Sequence, residues 1–382
     1  MLHPDDYDQI VFVVDTIMGT TTHPVSFSNS FEEVQTIRLN KGWNWVSFYL
    51  QPDETTINNL LSRATAWEID DAIEMVGSNG FYEISYKGIP DPYNPTRINY
   101  LWDRGNDSIN LDATKMYRLH SASDKQAYFT GTYCYNRMQV SPGWNRIAFI
   151  SRLNLPIATA LSDYTVHATE GDIIKSQSEF AVLTEDASGN KAWKGTLTHL
   201  TSGQGYMLKH LGRDTVSFYY PLYGSGTRYD NTVNRAPRFR NTTGSSMNIV
   251  ARVSGIPLEQ GDCLLVYDGA ELCGKTEMGA DSLFFLSVAK SSSRLTFAIE
   301  RPQTNFEDDG EEHSQLIAVS SQSVDYVTNA VMGTPDQPTQ IIFSSVGRYA
   351  DGQWYDLLGR KLPKRPQRAG VYIYNGQKLI IR

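Results

Sequence analysis

The sequence predicts a mostly β chain: tandem β-sandwich-like modules with one or two short helices, closed by a small β domain. Three observations predict it. The string Gly42-Trp43-Asn44-Trp45-Val46-Ser47-Phe48 returns as Gly143-Trp144-Asn145-Arg146-Ile147-Ala148-Phe149, and a repeat at that distance marks duplicated domains. Aromatic residues make up 12% of 382 positions, with 22 Tyr, 7 Trp and 29 Gly, a balance that suits sheets joined by tight turns. Apolar runs are short and bounded by turn residues, and the length corresponds to two to four domains at about 150 residues each.

The segment Val13 to Thr20, followed by Pro24, matches Val327 to Thr334, followed by Pro338, at one constant shift. In the later copy this piece closes a β-rich stretch. Residues 1–34 are therefore expected to be the closing strands of a truncated preceding module, with edges that need a partner. The first Gly-Trp-Asn module spans 35–135. Thr36 to Leu39, a turn at Asn40-Lys41-Gly42 and Trp45 to Leu50 read as a hairpin. Asp53 to Leu61 follows as a short amphipathic helix. Next come Phe81 to Tyr86, a Pro/Asn-rich loop from Pro90 to Asn99, Tyr100-Leu101-Trp102, and Met116 to Leu119.

The second module, 136–222, repeats this order. Met138 to Val140 and Trp144 to Ile150 flank a turn, and a helix starts near Pro156 with Ile157 and Leu161 inward. Gly171 to Ile174, Phe180 to Leu183, Trp193 to Leu197 and Gly205 to Lys209 continue it, and Trp193 and Tyr206 echo Trp102 and Tyr117. Residues 223–243 are polar, basic and turn-rich, a linker. A β-sandwich module is expected over 244–344, with a hairpin turn at Asp268-Gly269. The last segment, 345–382, carries Asn375-Gly376 between two β runs, a type I′ turn signal. A lone hairpin is marginal and needs a third strand or a receptor surface.

That last segment resembles a known family. Tyr355-Asp356-Leu357-Leu358-Gly359-Arg360-Lys361-Leu362 and Gly370-Val371-Tyr372-Ile373-Tyr374-Asn375-Gly376-Gln377-Lys378 are similar to the C-terminal sorting domains of type IX (Por) secretion cargo in Bacteroidetes. The Pro-Asn-Pro element that often opens such domains is absent. The resemblance implies a sorting signal carried by Tyr355, Asp356, Leu357, Gly359, Arg360, Gly370, Tyr372, Asn375, Gly376 and Lys378. It also implies secretion and sorting machinery as partner, and an extracellular or outer-membrane surface location. The upstream modules resemble the repeat domains that precede such signals in large surface proteins.

The net charge of −8 opposes nucleic acid as a partner. No apolar run approaches the ~20 residues of a membrane span. Met1 to Asp6 lack the basic and apolar regions of a secretory signal, so such a signal is expected upstream or elsewhere. No dinucleotide, P-loop, Gly-x-Ser-x-Gly or His-Glu-x-x-His pattern occurs, and no metal, cofactor or catalytic residue is assigned. Two carboxylates can still meet from any positions, which leaves a hydrolase as the third-ranked reading.

The acidic run Glu307 to Glu312 lacks calcium-loop spacing and reads as a solvated turn. Trp43, Trp45, Trp102, Trp144 and Trp193 suit a sugar platform or, because they recur, a core; the core is favoured. The unrepeated loop offers Tyr93, Asn94, Arg97, Asn99 and Tyr100 as ligand-binding candidates. Cys263 and Cys273 flank a turn, so both a disulfide and buried thiols stay open. The leading reading is a non-catalytic multi-domain region of an exported surface protein, serving as spacer or adhesive modules plus sorting signal, with a glycan or surface protein as ligand. The alternative is a carbohydrate-binding accessory region of a secreted glycan- or protein-degrading enzyme.

Overall fold

The computed structural model describes residues 33–51, 61, 67–77, 80–103, 111–222, 245–289, 294–302, 314–345, 353–357, 359–374 and 377–381. Strands dominate them, joined in several separate sheets, and two short helices, Ile157–Ala160 and Ser162–His167, are present among these residues. The truncated segment expected over 1–34 lies outside the described residues except Glu33 and Val34, which open the strand Glu33–Leu39; the helix expected from 53 to 61 lies outside them except Leu61, which is helical and buried; the linker and the acidic run 307–312 also lie outside them.

The two Gly-Trp-Asn copies share one topology. In the first, a five-stranded sheet runs in the order Gly42–Val46, Tyr117–Ser121, Ala72–Gly77, Gly80–Asp91, Asn94–Asp103. In the second the order is Gly143–Ala148, Gly205–His210, Ile173–Lys175, Phe180–Glu185, Lys191–Gly195. The motif itself is a corner. Gly42 and Gly143 take φ of 96° and 91°, a region that costs glycine little. Asn44 Nδ2 then donates to the carbonyls of Asn40, Gly42 and Leu119, and its Oδ1 accepts from Asn40 N–H. Asn145 does the same with Ser141, Gly143 and Leu208.

This corner overturns the expected hairpin of 36–50. Glu33–Leu39 pairs with Lys125–Tyr133, while Gly42–Val46 pairs with Tyr117–Ser121 in a different sheet. The Asn side chain satisfies the backbone groups that a hairpin ladder would have used, so the chain crosses between sheets instead of folding back. Met138–Val140 and Gly143–Ala148 diverge in the same way.

A second corner occurs three times. Asp71, Asp172 and Asp262 are fully buried, and each accepts from the backbone N–H three residues earlier, of Glu68, Thr169 and Glu259. Each also pairs with a basic side chain: Lys125 Nζ at 2.6 Å, His210 Nδ1 at 2.9 Å, Arg301 Nε at 2.8 Å. A buried carboxylate without such partners would cost several kcal/mol.

The copies pack on each other about a pseudo-two-fold axis. Ser47 N–H donates to Gly203 O, and at the equivalent positions Ala148 N–H donates to Thr114 O. Ser47 Oγ adds bonds to Phe149 O and Gln204 O.

The third module is an eight-stranded sheet, ordered Glu271–Glu277, Cys263–Asp268, Arg294–Pro302, Ser314–Asp325, Thr339–Ser345, Ser246–Ser254, Phe284–Ala289, with Val331–Met332 beside Ser246–Ser254. It rolls until its ends meet, where a Cβ on Gly274 would stand 2.9 Å from Ser287 O. The turn is Gly269-Ala270, with Asp268 paired to Glu271 and a bulge after Val266. Cys263 therefore faces Glu277, and Cys263, Cys273 and Cys134 are buried thiols that form no disulfide. One outer face of this module carries Val250, Leu283 and Phe285 against Ile173, Phe180 and Val182 of the second copy. The other carries Leu265, Tyr267, Ala298, Leu316 and Val319 against Tyr355, Leu357, Val371 and Ile373 of the last domain.

Asn44→Ala removes four hydrogen bonds at a buried corner and is expected to cost about 2–3 kcal/mol of unfolding free energy. Urea titration followed by tryptophan fluorescence checks it; a loss no larger than that of an exposed Asn→Ala control would contradict the role given to the motif.

Candidate functional site

The outer faces of the two equivalent sheets differ, and the difference creates a site. In the second copy that face carries Trp144, Ile173, Phe180 and Val182 and is covered by the third module. Superposing the ladders puts Trp43, Ala72, Glu83 and Ser85 at the matching positions of the first copy. There a groove of about 360 Å³ opens, lined by Trp43, Ile69, Asp70, Ala72, Glu83, Ser85, Tyr86, Lys87 and His120. The half-buried Trp43 indole has the Arg118 guanidinium over its ring at 4.7 Å and His120 edge-on at 5.3 Å. His120 Nδ1 lies 3.0 Å from Asp70 O, and because a carbonyl oxygen only accepts, Nδ1 carries a proton and donates it.

Asp70 holds φ of 78° where the other two Asp corners place Gly171 and Gly261. A non-glycine residue in this region costs about 1 kcal/mol.

The five loop candidates fall elsewhere. Pro90 to Asn99 is not a loop but the tip of a long hairpin, Gly80–Asp91 with Asn94–Asp103. Tyr93 stands at its turn, 97% exposed, with Asp91 Oδ1 accepting from the N–H groups of Tyr93 and Asn94. Asn99 reaches Asp91, and Tyr100 lies over Gly88 and stacks on Tyr86 at 6.5 Å. Arg97 is exposed. Of the five, only Tyr100 approaches the groove, through Tyr86. Among the tryptophans, Trp45 and Trp102 are buried.

In the last domain, most of the residues that carry the resemblance to a sorting signal fall among the described ones. Tyr355 and Leu357 pack on the third module, and Gly359 takes φ of 75° in a turn that Asp356 closes by accepting from Arg360 N–H and Nε–H. Gly370 lies against the Tyr372 ring, whose OH donates to Arg368 O. Lys378 pairs through its backbone with Ile373, and Asn375 and Gly376 lie outside the described residues.

The sequence reading missed two features. The groove carboxylates Asp70 and Glu83 become visible only when the copies are compared position by position, polar against apolar. Lys175 is the other. Its amine is fully buried where three modules meet, bonded to Ser246 O and Oγ at 3.2 Å and Asn329 Oδ1 at 2.9 Å, with the Trp144 ring 5.0 Å and the Trp45 ring 6.0 Å away. Among the described residues no carboxylate pairs with it. At the matching position the first copy has Glu74, bound to Arg118 and to Arg146 across the pseudo-axis. Burial pushes the Lys175 amine down from 10.5 to about 7.

No family model, curated protein or solved structure matches the chain. Among the described residues no group of three or more His, Cys, Asp and Glu could hold a metal ion, and no helix is long and apolar enough to cross a membrane.

Between about pH 7 and 10 the unfolded chain binds the Lys175 proton and the folded chain does not, so this residue's contribution to stability rises with pH across that window. Lys175→Met is expected to be more stable than the parent at neutral pH, with the gap shrinking as pH approaches 10. Thermal unfolding of both proteins across that range checks it; a gap independent of pH would refute the buried-amine assignment.

Proposed function

We propose that this chain is a non-catalytic, surface-exposed region of an exported protein, in which packed β modules act as a stiff spacer and residues 345–382 engage the sorting machinery. The observation that carries this reading is the continuity of packing. The first copy packs on the second, the second on one face of the third module, and the last domain on the other face. A series of modules joined by apolar and hydrogen-bonded interfaces resists bending in a way that flexibly linked modules do not. The motif Tyr355 to Arg360 supports the sorting part, because its buried residues seat the domain while Arg360 and Lys361 remain exposed.

In the native host, the protein is expected to reach the surface or medium trimmed near residue 345, while a version lacking 345–382 stays inside. Because that deletion uncovers Leu265, Tyr267 and Val319, an Arg360→Ala/Lys361→Ala variant that keeps the packing provides the second arm. Intact mass and cell fractionation read both. Export of all versions alike at full mass would overturn the sorting role.

A further inference from the structure

We propose that the groove on the first copy is a binding site for a neutral oligosaccharide. The case starts from the duplication. Both copies build the same outer sheet face, and in the second copy an apolar floor of Ile173, Phe180 and Val182 is filled by Val250, Leu283 and Phe285 of the third module. The first copy keeps the tryptophan of that face but replaces the apolar floor with Ala72, Glu83 and Ser85. A face so changed no longer suits a protein core as its cover. It combines an indole with separate hydrogen-bonding groups, which is what the alternating C–H and hydroxyl surfaces of a pyranose require.

Asp70 supplies the second, independent observation. Its position is glycine in both other copies of this corner, and here an aspartate accepts the left-handed conformation. Its side chain is exposed at the groove, with no hydrogen bond or ion pair among the described residues. Strain retained at one copy out of three, at the rim of an open groove, points to a job for that carboxylate.

The recognition chemistry follows from the lining. Asp70 and Glu83 accept from sugar hydroxyls, Lys87 donates, Ser85 and the Nε2 of His120 complete the polar set, and Trp43 supplies the stacking face. The volume of about 360 Å³ accommodates a disaccharide. Among the lining side chains two carboxylates stand beside one lysine, and the Arg118 guanidinium over Trp43 is balanced by Glu74, a charge pattern that disfavours acidic sugars.

The test uses the full chain with ¹⁵N-labelled tryptophan side chains and a titration to millimolar concentration with cellotriose, xylotriose, mannotriose, chitotriose and sialyllactose. At least one neutral trisaccharide is expected to shift the Trp43 indole signal saturably, with the Trp193 signal unchanged and sialyllactose inactive. Glu83→Gln, an exposed substitution that leaves the fold intact, and Asp70→Gly, which also relieves the backbone, are each expected to weaken binding 10-fold or more. The second should raise the melting temperature at the same time. Trp43→Ala should abolish binding, and Tyr93→Ala should not affect it. No saturable shift with any neutral sugar, binding untouched by Glu83→Gln and Asp70→Gly, or a solution dimer that buries the Trp43 face would each overturn the proposal.

Discussion

A β-sheet has two faces, and every apolar face must be covered by something. Most of this architecture follows from how that constraint is met in the third module. Its strands are buried on both sides: Phe284–Ala289 along its whole length, Cys263–Asp268 along nearly all of it. Its interior is filled by its own side chains, while its two exteriors are covered by the second Gly-Trp-Asn copy and by the last domain. The module therefore holds its neighbours in place as much as it holds itself together. This also explains why its strands read as continuous apolar runs and not as alternation.

The first and second copies show how a duplicated scaffold diverges without losing its joint. The backbone bonds Ser47 to Gly203 and Ala148 to Thr114 are symmetric because they use no side chain. The side chains around them are free to differ, and do. Glu74 answers Arg146 on one side of the axis, while Lys175 sits near Trp45 on the other. One half of the joint is an ion pair and the other a buried amine among aromatic rings. Only the second reaches the third module, through Ser246 and Asn329.

Much of this was legible in the sequence wherever a local rule decides the outcome. The Gly-Trp-Asn strings, the equivalence of Tyr117 with Tyr206 and of Trp102 with Trp193, and the paired strands flanking 375–376 all rest on short-range patterns. What escaped were outcomes decided at long range. Thr36 to Leu50 has every sign of a hairpin, yet an asparagine side chain takes the backbone bonds the hairpin needed. The turn near Asp268 moved by one residue and a bulge at Cys273 shifts the register once more, so that Cys263 faces Glu277 and the two thiols are apart. The groove was invisible because Asp70, Glu83 and His120 come from three different strands or turns. Lys175, in an apolar stretch, gave a signal that only burial could decode.

The pairing of Ser246–Ser254 with Thr339–Ser345 is parallel, from Ala251 opposite Thr339 to Ser254 opposite Ile342. These are the first and last long strands of the module, so a pull on the chain drags them past each other lengthwise. All their ladder bonds then bear load at once instead of opening one after another from an end. Pulled between its two ends, this module therefore resists as a clamp, its parallel ladder sheared as a whole and not unzipped.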